Sequence, residues 1–228
     1  MATTTTTIHV HNNVSKPTAN VVLLFLQPVQ AEDNYVYSAW NVLNPSIGSN
    51  QECVLETSFS ASIAEFNSKV GDYSDPVPVT LGSAGLITNP NGQSPAIVGT
   101  STQPITPDQV GLDNECVSPG TELSVSWYVN GNRVVQTNNT ESSTLNLGFV
   151  STFQLTQSVW LMFGQEPLIT TTYVAQTFSA ATPFPIQNGT ADLYIEAYTD
   201  PTGRDSFKVV SPEDFAALAQ QPELASTV

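Results

Sequence analysis

The sequence predicts an all-β protein: a single antiparallel β-sandwich, jelly-roll-like, with one short C-terminal helix. Three observations point there. About a dozen short segments alternate in polarity or run apolar, and they are rich in β-branched and aromatic residues. Turn signals recur every ~8–12 residues. Only one stretch of the 228 residues opens like a helix. A βαβ fold is excluded, because it needs crossover helices that are missing. We expect one domain over residues 1–222, with a Pro/Gly-rich loop region at 72–119 and a flexible tail at 223–228.

Residues 5–14 alternate, with Thr5, Thr7, His9 and His11 on one face and Thr6, Ile8 and Val10 on the other. Residues 21–26 are apolar on both faces, which predicts a central strand covered on both sides. Residues 35–42 read as one aromatic strand, and 54–59 with 62–66 read as a strand pair. The prolines of the 72–119 stretch confine strands there to edges near 77–81 and 96–98. Residues 123–129 and 132–136 flank Asn130-Gly131, the turn pair that a type I′ hairpin requires. Strands are further expected at 145–153, 159–163, 168–178, 192–198 and 207–210. The helix is read from Ser211 as N-cap, Pro212 at the first position and acids Glu213 and Asp214 in the first turn.

Composition closes off several functions. Five Lys+Arg against twenty Asp+Glu give a formal charge of −15, and no basic footprint exists for nucleic acid or an anionic membrane surface. The most apolar run, Val21 to Leu26, falls far short of the about 20 residues a membrane span needs. The start, Met-Ala and five threonines, has no basic or apolar signal region, so we expect a cytoplasmic protein or one released without a classical signal peptide. Cys53 and Cys116 permit at most one disulfide, and the same absence of a signal favours two free thiols. Three glycosylation-type sequons begin at Asn13, Asn138 and Asn188 and matter only in a secreted eukaryotic chain.

Candidate chemistry is sparse. His9 and His11 are the only histidines, about 7 Å apart on one strand face. That is a two-ligand metal spacing, but it lacks the Glu four or so residues on that a cupin pattern supplies. We therefore read the pair as solvent-facing and expect no cofactor or metal. No Gly-x-Ser-x-Gly elbow or phosphate-cradling glycine loop occurs. The local acid pairs Glu52/Glu56, Asp72/Asp75 and Asp192/Glu196 read as solvated surface, and Asp72 with Asp75 or Asp113 with Glu115 as weak calcium candidates. Tyr35, Tyr37, Trp40, Trp127, Tyr128 and Trp160 are either core or the rim of a site for a carbohydrate or small hydrophobic molecule.

Phe25-Leu26-Gln27-Pro28, followed by Val36-Tyr37-Ser38-Ala39-Trp40, and Val159-Trp160-Leu161-Met162-Phe163-Gly164 resemble two stretches of the RhiA-like proteins, a bacterial family named from a rhizosphere-expressed protein. The resemblance implies a β-rich protein linked to interaction with an environment or host. It carries no defined activity and no catalytic residue.

These readings converge on a non-enzymatic binding or assembly protein. The Thr-rich N-terminal strand is the candidate edge for pairing with a second copy. The alternative is a cofactor-independent cyclase, isomerase or hydratase. It would hold an apolar pocket lined by Trp40, Trp127 and Trp160, with Glu52, Glu56 or Glu196 as a buried acid.

Overall fold

The structure, a computed structural model, describes residues 5–15, 21–29, 35–65, 73–89, 93–117, 122–137, 144–164, 174–175, 181–186 and 191–220. Asp72, the turn at 90–92, the sequons at 138–140 and 188–190, most of the strand expected at 168–178 and the tail lie outside the described residues. So does the side chain of Tyr35.

In chain order the strands are β1 (Thr6–Asn13), β2 (Val21–Pro28), β3 (Tyr35–Ser38), β4 (Asn41–Leu43), β5 (Asn50–Leu55) and β6 (Phe59–Glu65). There follow β7 (Val77–Val79), β8 (Ser83–Thr88), β9 (Ala96–Thr100), β10 (Val110–Asn114), β11 (Leu123–Val129) and β12 (Asn132–Thr137). The last are β13 (Val150–Phe153), β14 (Leu155–Gly164), β15 (Val174–Ala175), β16 (Thr182–Pro185), β17 (Asp192–Thr199) and β18 (Asp205–Val209), then helix α1 (Pro212–Ala219). They form four sheets with orders β18-β17-β1-β5, β16-β14-β2-β4, β15-β3-β12-β11-β6-β7 and β13-β10-β8-β9. The all-β class and the single C-terminal helix are as expected among the described residues. The pairing is not purely antiparallel, since β1·β17 and β8·β10 run parallel.

The local logic of the sequence is visible in several elements. β2 is buried from Val21 to Leu26 because β14 and β4 flank it and both faces pack into the core. Burying each such side chain contributes roughly 1.5–3 kcal/mol. Asn130 and Gly131 take φ 52° and 75°, so β11 and β12 form the expected hairpin. Ser211 caps α1 by accepting from the Asp214 amide, with proline at the helix start.

Other expectations are corrected. The strand read over 35–42 breaks at Ala39-Trp40, and its halves serve two sheets, β3 in the third and β4 in the second. Trp40 holds that corner: its backbone N–H donates to Leu24 O at 2.8 Å and its indole N–H to Val129 O at 3.0 Å. β5 and β6 do not pair with each other, for β5 joins β1 and β6 joins β11. The 72–119 stretch is more than loop. Beside the expected edge strands β7 and β9 it contains β8 and β10, the two inner strands of the fourth sheet. β1 offers no free edge for a second copy, because β17 and β5 occupy both its sides.

Candidate functional site

The two histidines lie on the face of the first sheet that α1 covers. His9 stands in register with Tyr194 on one side and Glu52 on the other. Its Nδ1 lies 3.1 Å from a Glu52 oxygen and its Nε2 2.9 Å from Asp192. The ring stacks on Tyr194 with centroids 4.6 Å apart. His11 is buried, contacts Asn50 Oδ1 at 2.6 Å through Nδ1, and meets the Phe215 ring of α1 edge-on. The solvent-facing reading is therefore corrected, because α1 seats Phe215 over both rings. Both His9 nitrogens and His11 Nδ1 are engaged by separate partners, and among the described residues no three His, Cys, Asp or Glu side chains group to hold a metal ion.

The acids do not converge either. Glu52 is exposed beside His9, and Glu56 is exposed beyond the end of β5. Glu196 is buried, against its reading as a solvated acid: Lys208 Nζ lies 2.9 Å from one oxygen, and Asn13 donates to the other at 2.8 Å. Asp113 is buried as well, accepting from the Ser101 hydroxyl, which leaves it poorly placed as an open calcium ligand.

The aromatic residues divide. Trp40, Trp127 and Tyr37 are buried in the core, and Trp127 stacks on Phe153 at 5.2 Å. Trp160 is half-buried on β14, opposite Phe25 and Pro183. Tyr128 is half-buried on the other face of β11, where its hydroxyl accepts from Ser62. That face is a hydroxyl layer. Ser62, Ser124 and Ser126 are all buried, and Arg133 donates to Ser38 and Gln136. Tyr73 joins it. Burial pushes its phenol up, opposed by the nearby Ser124 and Ser126 hydroxyls and the Arg133 charge. The Tyr73 and Ser126 hydroxyls face one another without closing a well-aligned hydrogen bond.

A concavity lies elsewhere. A groove of about 550 Å³ runs between the start of β6, the β7–β8 turn and the segment following β9. Phe59, Pro78, Val79, Leu81, Ile105 and Pro107 give it apolar walls; Thr57, Ser58 and Thr80 add hydroxyls. Gly82 makes the turn possible, with φ 77° and a would-be Cβ 3.4 Å from Pro107 Cα. Gly111 lets β10 sit closely between its neighbours, because a Cβ there would meet Ala84 Cβ at 3.1 Å and Ser151 O at 3.3 Å, with Ile105 Cδ1 of the 101–109 segment in ordinary contact. Asp108 pins the far end of that segment, accepting from Thr106 at 2.7 Å and from Gln154. A smaller cavity of about 310 Å³ lies beside Glu65, Tyr73 and Ser94.

No acid, base or thiol lines the large groove. The sequence held a signal for this that the motif reading passed over. From Pro76 to Pro107 there is not one Asp, Glu, Lys, Arg or His, in a chain of net charge −15. That neutral segment builds β7, β8, β9 and most of the groove wall. Such a surface can hold a neutral ligand by contact and hydroxyl hydrogen bonds, but has no titratable group to move a proton.

No family model matches the chain, and neither a curated protein nor a solved structure matches it. Among the described residues no helix is long and apolar enough to cross a membrane.

Proposed function

We propose that the chain is a non-enzymatic binding protein, and that its ligand is an uncharged, partly apolar molecule, either a neutral carbohydrate or a small hydrophobic compound, held in the β6–β7 groove. The observation that carries this reading is the groove's lining, apolar and hydroxyl-bearing with no titratable side chain. The enzyme alternative needs an acid inside an apolar pocket; Glu52 and Glu196 belong to the first sheet, and Glu56, one residue before Thr57 at the groove's edge, is exposed. The RhiA-like resemblance supports the same class of role, contact with an environment or host without a defined reaction.

The test is a thermal-shift screen of uncharged oligosaccharides and uncharged hydrophobic compounds. A ligand that binds only the folded chain raises Tm in a concentration-dependent way. Thr80 is exposed on the groove wall, so Thr80→Glu places a charge there without disturbing the core. The expected result is a shift that Thr80→Glu abolishes. A screen with no shift, or a shift that survives Thr80→Glu, overturns the reading.

A further inference from the structure

Four exposed apolar side chains gather at one end of the fourth sheet: Val117 (75% exposed), Phe149 (65%), Leu147 (43%) and Val150 (36%). Backbone bonds hold the 147–150 turn against Asp113 and Asn114, and Val117 follows three residues on, its N–H donating to Asn89 Oδ1. Gly148 N–H donates to Asn114 O at 2.7 Å, Asn114 N–H donates to Phe149 O at 3.1 Å, and Val150 is in register with Asp113. The turn that lifts Phe149 is closed by its own N–H on Asn146 O, with Gly148 at φ 75°. The exposure of Phe149 is thus built into the turn. A cluster of this kind with an aromatic at its centre is the composition of an interface anchor.

The cluster continues into β13, which among the described residues has a partner strand on one side only. Edge strands are normally blunted by charge, proline or a bulge. Five other edges follow that rule: β18 carries Asp205 and Lys208, β5 carries Glu52, β16 and β7 contain prolines, and β9 is bulged beside Ile97; β4 and β15 are blunted only by being three and two residues long. β13 has none of these, and residues 144–153 hold no charged side chain.

We infer that this edge pairs with a second copy of the same chain, β13 against β13 across a two-fold axis, with Phe149 packing in the seam. An unpaired strand edge presents both N–H and C=O groups and is complementary to itself. The charge pattern favours the same occupant. A cationic partner would be drawn to the acidic remainder of the surface, whereas a second copy brings an equally uncharged edge. The net charge of −15 on each copy opposes the approach, so salt strengthens the association by screening it.

The experiment is sedimentation equilibrium of the full chain over a ~100-fold concentration range, about two decades of affinity, at low and high NaCl. The expected result is an average mass that rises from 24.4 kDa toward twice that value, more so in high salt. Phe149→Glu and, independently, Val117→Glu should hold the protein at the monomer mass with unchanged far-UV spectrum and Tm. A wild-type mass fixed at that of the monomer, or association that survives both substitutions, overturns the inference. So does association lost in a Val98→Glu variant on β9 instead.

Discussion

Raising the pH should destabilise this protein through one thiol. Cys53 sits on β5 opposite Ile8 and is only 7% exposed. Burial, with the adjacent Glu52 charge adding to it, pushes the Cys53 thiol up from 9.0 to about 12. The unfolded chain releases that proton near 9.0 while the folded chain keeps it. The associated stability is therefore fully present below pH 9 and is lost as pH rises toward the folded value. At about 1.4 kcal/mol per pH unit, the loss near pH 10.5 is about 2 kcal/mol. That is a large fraction of the ~5–15 kcal/mol that holds a domain together. Burial also raises Cys116 and Tyr73, so the wild-type slope alone does not isolate Cys53. The assay is urea denaturation of wild type and Cys53→Ala from pH 8 to pH 10.5. The wild-type advantage should shrink by about 2 kcal/mol over that range. Parallel pH profiles for the two proteins would refute the reasoning.

Three further outcomes are expected. Lys208→Ala leaves the buried Glu196 carboxylate with Asn13 and, since Lys208 is itself half exposed to screening water, should cost about 1–2 kcal/mol; adding Glu196→Gln should recover part of it in a denaturation double-mutant cycle. Gly131→Val forces a β-branched residue to φ 75° and should destabilise by about 1–2 kcal/mol, read by urea midpoint. A chelator should leave Tm unchanged within about a degree, since a metal bound only to the folded state would shift it on removal.

Short-range features were legible in the sequence and long-range ones were not. Asn130-Gly131 predicts its hairpin because positive φ at both positions is a local demand. Ser211-Pro212 predicts α1 for an equally local reason. The break at Ala39-Trp40 is invisible to alternation, because period two says which residues share a face and nothing about which sheet receives the strand. β8 and β10 were hidden by Gly85 and Gly111. These read as loop punctuation but give room where side chains would crowd: a Cβ on Gly85 would sit 3.0 Å from Leu112 Cδ2. The burial of His11 and Glu196 depends on α1 and β18 docking over β1 and β17, an encounter between distant segments. The groove was foreshadowed only by missing charge, and a search for motifs does not register an absence.

The seating of β1 between β5 and β17 bears on how the chain is made. β1 leaves the ribosome well before its parallel neighbour, which begins at Asp192, bonded to His9 across 183 residues of sequence. Until that neighbour emerges, one whole side of β1 has no ladder partner. Contacts of such separation slow folding, because the intervening chain must be closed first. The first sheet is therefore completed only after β17 and β18 have been made, long after β1. A nascent or truncated chain ending before residue 192 would present the β1 backbone to whatever strand it meets, a vulnerability the finished protein does not share.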